Sequence, residues 1–299
     1  MSFSADIKRE LCKASLNHKC CIQAEAYGVL LFCSNFHRGG IRIVTESESF
    51  ALRLPILFKK AFQVEFDVLP GDKQGKRIFQ ITDPVKIGVI GEAFGYDPAE
   101  SVALHINFAS LEEEHCRVAF IRGAFLAGGA VTDPDKDFHL ELATSHYNVG
   151  RELPALLREV GFESKTTERK ANYLTYFKRS EYIADFLTLI GAPVASMEIM
   201  NAQAEKDLRG NINRLVNCEA ANLDKIVDAA QAHLEAVRIL EARGLLEELP
   251  DKIREAAILR RENPEVSLSE LAAMFEPPIS KSALNHRLRK LVALSKEGD

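Results

Sequence analysis

Near the end of the chain stands Ser280-Lys281-Ser282-Ala283-Leu284-Asn285-His286-Arg287-Leu288-Arg289-Lys290-Leu291. Its polar side chains are of the types that hold and read nucleic acid. Arg offers two parallel N–H groups to guanine, Asn matches adenine, and Ser or Lys grips phosphates. From Pro277 to Lys296 there are five Lys or Arg residues and no acid, although residues 217–299 carry 12 cations against 15 acids. Positive charge is therefore concentrated on this stretch. Ser280, Lys281, Ser282, Asn285, His286, Arg287, Arg289 and Lys290 are the candidate DNA-binding residues. Secondary candidates are Arg214 and Lys225 in a polar run farther upstream, and Lys165, Arg169 and Lys170 in the segment Ser164–Arg179, which carries five cations and one acid.

Other chemistry is sparse. The eight histidines are scattered, and His139 and His146 lie at a spacing that does not make a metal site. Six cysteines (12, 20, 21, 33, 116, 218) show no C-x-x-C pair and no regular framework, so they read as reduced, mostly buried thiols. His18 beside Cys20-Cys21 is read as core packing and not as a zinc site. No phosphate-cradling glycine motif of the Walker or dinucleotide type occurs. Neither a metal nor a cofactor is expected.

The cationic stretch needs helices to present it. Ser267 and Glu270 make a capping box for a helix with Leu268, Leu271, Ala272 and Phe275 on its apolar face. Four residues, Glu276-Pro277-Pro278-Ile279, then turn the chain, and Ser280 can cap a second helix. Leu284, Leu288 and Leu291 point inward there, while Ser282, His286 and Arg289 share the opposite face. Residues 267–291 thus predict a helix-turn-helix with a polar, cationic second helix. Upstream, apolar residues at 223, 227, 230, 234, 237 and 240 predict an amphipathic helix, with Gly244 as its C-cap. Pro250 opens another helix and Pro264 ends it. An all-α domain is expected over 217–299, preceded by a polar linker at 196–216.

Residues 1–195 have a different organisation. The stretch Arg122-Gly-Ala-Phe-Leu-Ala-Gly-Gly-Ala-Val-Thr-Asp133-Pro134 is apolar but rich in glycine. Ala124 and Gly128 lie on one helix face, and small residues there let another helix backbone come close. The helix is expected to stop at Asp133-Pro134. Ala24 and Gly28 repeat the pattern one hundred positions earlier. A strand, a helix containing Leu-Pro, two extended segments and a closing helix follow each copy. The helical Leu54-Pro55 corresponds to Leu153-Pro154, and Gly95 to Gly191. Such long-period self-similarity marks an internal duplication, with repeats at about 20–110 and 115–195. Two αββ-type units about a pseudo-twofold are predicted, with Ala24 and Gly28 packed on Ala124 and Gly128 at the axis. The fold class is α+β.

This order of elements resembles the LAGLIDADG homing-endonuclease fold over about residues 20–195. The resemblance places Leu126-Ala127-Gly128 on the first three letters of the motif and Asp133 on its eighth, the metal-binding acid. In the other copy Cys33 stands where the second acid belongs. Divalent-metal hydrolysis of a phosphodiester needs hard oxygen ligands from both sides, and a cysteine is a poor substitute. The scaffold is expected to be kept and the nuclease chemistry lost, with Asp133 and Cys33 as vestigial positions.

The whole chain resembles the WhiA family of sporulation and cell-division regulators. The resembling residues are Ser2-Phe-Ser4 with Lys8-x-Glu10-Leu11, Cys20-Cys21 with Ala24-Glu25, and Arg122-Gly-Ala-Phe-Leu-Ala-Gly-Gly129. They continue through Asp133-Pro-x-Lys136, Asn213-Arg-Leu-x-Asn217-Cys-Glu-x-Ala221-Asn222 and Pro277-Pro-x-Ser280-Lys-Ser-x-x-Asn285-His-Arg-Leu-Arg-Lys-Leu291. The resemblance implies a degenerate endonuclease domain joined to a helix-turn-helix like that of sigma factors. It also implies a transcription regulator of double-stranded DNA without enzyme activity, and a second regulator of the WhiB type as partner.

Composition narrows the field further. With 299 residues, 46% of them hydrophobic, the chain can bury more than one core. A net charge of −5 gives no general field for nucleic acid, so any DNA contact must be local. No apolar run approaches the ~20 residues of a membrane span and no secretory signal opens the chain; a cytoplasmic, nucleoid-associated protein is expected. The competing reading is an interaction scaffold or chromosome-associated protein whose duplicated domain binds a protein or a ligand.

Overall fold

The structure, a computed structural model, describes residues 2–71, 75–96 and 103–297. It divides into two units, residues 1–206 and 207–299. In the first, α1 (Phe3–Leu11) precedes a repeat made of α2 (Lys19–Phe32), β1 (Asn35–His37), β2 (Gly40–Thr45), α3 (Glu48–Phe62), β3 (Arg77–Ile81) and α4 (Pro84–Glu92). The second repeat is α5 (Glu114–Gly128), β4 (Gly129–Val131), β5 (Leu140–Thr144), α6 (Tyr147–Glu159), β6 (Lys165–Arg169), β7 (Asn172–Phe177) and α7 (Ser180–Ile190). Each repeat has its own antiparallel sheet, ordered β1-β2-β3 and β4-β5-β7-β6. Of the two extended segments expected in the first repeat, the one at 64–69 is reduced to the single bridge Val68–Gln80. The duplication also shows in detail: Pro55 and Pro154 each stand at the eighth residue of their helix.

Helix α2 buries every residue from Ala24 to Phe32. A helix buried around its whole circumference must be covered on all sides, and α5 covers one of them. A methyl group added to Gly28 would overlap the carbonyl of Phe120, and one added to Gly123 would overlap the carbonyl of Glu25. The backbones therefore touch at these two glycines, which stand 95 residues apart. Ala124 joins them, its backbone nitrogen lying under Gly28. The expected pairing of Gly28 with Gly128 is corrected: Gly128 packs against the Phe32 ring and the Ala143 carbonyl. Its side of α5 has already turned toward the sheet.

Helix α5 also ends earlier than expected. Gly129 is extended, with φ −85° and ψ 143°, and the chain enters β4 directly. Pairing of Gly129–Val131 with Leu140–Leu142 supplies the hydrogen bonds that continued helix would have made. Ser4 of α1 closes the outer edge of β4, its hydroxyl accepting from Val131 N at 2.7 Å and donating to Val131 O at 2.8 Å.

Helix α8 (Pro193–Ala242) contains all of 196–216, the segment expected as a linker. The carboxylate of Glu10 accepts from the Val194 and Ala195 amides, at 2.8 and 3.1 Å, and so caps its first turn. Residues 211–228 are exposed on every side, which gives a helix the composition of a connector. Leu223 and Val227 are thus exposed, and the buried stripe begins only at His233. Gly244, with φ 72°, ends the helix as expected. In the second unit α9 (Asp251–Glu262), α10 (Leu268–Ala273) and α11 (Lys281–Lys296) follow. Their core joins Val237 and Leu240 to Ala256, Leu271, Phe275, Leu284, Leu288 and Leu291. Among the described residues no helix is long and apolar enough to cross a membrane.

Candidate nucleic-acid interface

The capping box is formed: Ser267 Oγ accepts from Glu270 N at 3.3 Å, and Glu270 Oε2 accepts from Ser267 N at 3.1 Å. Ser280 Oγ accepts from Ala283 N at 3.2 Å and starts α11. Leu284, Leu288 and Leu291 are fully buried and fix the rotation of α11. That rotation leaves Ser280, Lys281, Ser282, His286, Arg289 and Lys290 exposed, with Asn285 half-buried at the margin. Among the described residues none pairs with Lys281, His286, Arg289 or Lys290. Their donors all point to solvent, as a surface awaiting an anionic partner requires.

Arg287 departs from this set. Its guanidinium lies 5.2 Å from the Phe275 ring centroid and 3.5 Å from Glu255 of α9, with the side chain largely covered. One step of 100° along the helix separates it from His286, enough to turn it onto α9 and Phe275. It serves the packing of the motif.

The secondary candidates stand on β6, on the turn that follows it and on α8. Lys165 and Arg169 lie on the fully exposed edge strand β6, and Lys170 in the left-handed turn to β7, with φ 53°. Arg169 is partly neutralised by Glu141 at 3.2 Å. Arg214 folds back on α8, donating to Gly210 O at 3.2 Å and Asn211 Oδ1 at 2.8 Å. Lys225 is exposed on the same helix.

The vestigial acid positions are not a pair of facing carboxylates. Cys33 caps α2 and is buried; its Sγ lies 3.1 Å from both Leu30 O and Asn35 O. Burial pushes its thiol up to about 12, so it stays protonated. Asp133 is exposed in the turn after β4, where its carboxylate accepts from the Asp135 amide at 3.1 Å. The expectation that it ends the lead helix is corrected by the early stop at Gly128. A concavity of about 650 Å³ lies beside the C-terminal ends of α2 and α5, lined by Ser34, Gly129, Ala130, Glu46, Lys8 and Lys76. Lys8 there is held down to about 8 by burial. Two ammonium groups and one carboxylate are a poor cage for a divalent cation.

Sequence reading missed two buried networks, and the partners in the first are distant in the chain. Arg53 grips Glu25 through Nε and Nη2 at 2.6 and 3.0 Å, and its Nη1 donates to Cys12 O and Ala14 O. Arg122 approaches the same carboxylate at 3.5 Å and donates to Ile190 O at 2.7 Å. In the second unit Arg260 is buried and donates to Asn263 O, Pro264 O and Val266 O. It thereby holds the loop that leads into α10.

Fold and surface together define a helix-turn-helix protein carrying a duplicated LAGLIDADG-type domain. Residues 117–209 match the WhiA LAGLIDADG-like domain, and residues 212–295 match the WhiA C-terminal HTH domain. The chain is 36% identical to the probable cell division protein WhiA of Ruminiclostridium cellulolyticum, covering 97% of this chain and 96% of that one. It is also 36% identical to the protein so named from Heliobacterium modesticaldum, over 99% and 96% of the two chains. The crystal structure of full-length WhiA from Thermatoga maritima superimposes over the whole of both chains with a TM-score of 0.60 at 23% identity, a likeness of fold. The chain belongs to the WhiA family.

Proposed function

We propose that the chain is a sequence-specific transcriptional regulator of sporulation and cell division that acts on double-stranded DNA at the nucleoid, in the cytoplasm. The observation that carries this reading is the exposed, unpaired face of α11, with Lys281, Ser282, His286, Arg289 and Lys290 around a helix whose rotation is fixed by three buried leucines. A recognition helix enters the major groove with such a face, Arg and Asn reading base edges while Lys and Ser hold phosphates. The names of the relatives, as probable cell division proteins, support the process assigned. The duplicated domain is read as a scaffold without nuclease activity, given a buried thiol and two lysines near its helix ends. A WhiB-type regulator as partner belongs to the same reading.

The test is a genome-wide crosslinking map of the native chain and of Arg289→Ala. The reading expects discrete peaks sharing a sequence upstream of transcription units, and their loss in the variant. Peaks that persist unchanged would favour the scaffold reading.

A further inference from the structure

Cys20 and Cys21 are the second and third residues of α2, while His115 and Cys116 are the second and third of α5. The duplication therefore brings two pairs of potential ligands, 95 residues apart, to equivalent places on two helices that pack backbone to backbone. Their ligand atoms all lie within 4.8 Å of one another, and Cys20 Sγ is 3.4 Å from His115 Nε2. Among the described residues no other group of three or more His, Cys, Asp or Glu side chains is gathered in this way.

We propose that these four side chains bind one zinc ion, which clamps the N-terminal ends of the two lead helices together. Three sulfurs and one imidazole nitrogen make a closed tetrahedral set, the pattern of structural zinc. Bond lengths of about 2.3 Å to sulfur and 2.0 Å to nitrogen give tetrahedron edges of roughly 3.5–3.8 Å. The observed cluster needs only a small contraction to reach them. Soft thiolates select zinc over the hard magnesium or calcium ions.

The hydrogen bond with His115 lowers the Cys20 thiol, while burial raises Cys21 and Cys116, so the divalent ion itself must drive off the protons of those two. Neither helix has a side-chain N-cap, and the four side chains stand in the first turns of the two helices. Helix N-termini favour negative charge and lower thiol pKa. Three thiolates and a divalent ion leave one net negative charge, and the adjoining recess carries Arg122 together with Glu113 and Glu114. That recess, about 660 Å³ and lined also by His18, Cys21 and His115, gives the ion a path from solvent. Cys20 and His115 are exposed, Cys21 is half-buried and Cys116 is buried, so the ion would sit at the surface. The expectation of mostly buried thiols is corrected: of the six cysteines only Cys33 and Cys116 are buried. The site lies at the opposite end of the helix pair from Cys33 and does not depend on the DNA-binding reading.

The test uses the full chain, purified under reducing conditions with zinc and then dialysed. Elemental analysis should find one zinc per chain. Cobalt(II) in its place should give sulfur-to-metal charge-transfer absorption and the intense visible bands of a tetrahedral site. Cys20→Ser and His115→Ala alter exposed side chains, and each should weaken zinc retention by roughly tenfold or more, since a lost ligand costs at least as much as a lost outer partner. Their circular dichroism should stay native. Cys218→Ser, outside the cluster, should keep the ion, and chelation of the native chain should lower its melting temperature. The proposal is overturned if no zinc is retained, if both cluster variants retain it like the native chain, or if mass spectrometry of the reduced preparation finds a disulfide within the cluster.

Discussion

Glu25 and Arg122 stand in the two glycine-bearing helices, and the structure gives both a packing role. Glu25 is buried with Arg53 on one side and Arg122 on the other, so its charge is compensated without water. Removing one partner of such a pair leaves a buried charge exposed to low dielectric, at a cost on the order of 3–5 kcal/mol. Arg53→Met should therefore lower stability by about that much in denaturant titration, and Glu25→Leu on the same background should recover part of it. A melting curve unchanged by Arg53→Met would mean the pair is solvated. His233 offers a second residue-scale test. It is buried, its Nδ1 has no hydrogen-bond partner, and burial together with nearby Arg260 lowers its pKa to about 4. An unfolded histidine titrates near 6.5. Between those values the unfolded chain binds more protons than the folded one. Stability is full above pH about 6.5 and falls, by an amount on the order of 2–3 kcal/mol, as pH drops toward about 4. His233→Gln should remove that slope from the acid limb. The same slope in the variant would place its origin elsewhere.

The paired lead helices set the geometry of the duplicated domain. Gly28 and Gly123 leave no room for a side chain, since each would strike a carbonyl of the other helix. Gly123→Ala should force the backbones apart and cost roughly 1–3 kcal/mol or more. Gly210→Ala, at an open helix position, should be neutral or stabilising. Equal melting temperatures for the two variants would mean the helices do not meet at Gly123. Much of this level is legible in the chain. The capping box at Ser267 and Glu270, the Ser280 cap, the leucine spacing of α11 and the matched Pro55 and Pro154 are local signals, and each reads true. The register of the helix pair is not local. Gly28 with Gly128 fits the sequence pattern as well as Gly28 with Gly123, and only the fit of two backbones decides between them. Strand β4 is hidden for a similar reason: its three residues become strand through pairing with β5. A helix exposed on every side, like α8 over 211–228, carries no stripe by which to recognise it. Contacts such as Arg53 with Glu25, or Cys20 with His115, join residues too far apart for any spacing rule.

At the scale of the whole molecule, a nuclease scaffold is read as having passed its DNA recognition to the helix-turn-helix. Incubation of the full chain with supercoiled plasmid and Mg²⁺ or Mn²⁺ should leave the plasmid intact, and Asp133→Asn should change nothing in DNA binding. Metal-dependent nicking that vanishes in Asp133→Asn would restore the hydrolytic role. The central claim is that α11 reads the sequence. Its direct measure is the affinity of the full chain for its operator and for random DNA, across salt concentrations, with Arg289→Ala and Lys290→Ala beside the native protein. Arg289→Ala should lose about 1–3 kcal/mol on the operator and much less on random DNA. Lys290→Ala should weaken both equally and flatten the log–log salt slope by about one. An operator-to-random ratio untouched by Arg289→Ala, but abolished by replacing Lys165, Arg169 and Lys170, would contradict the account and make the duplicated domain the reader.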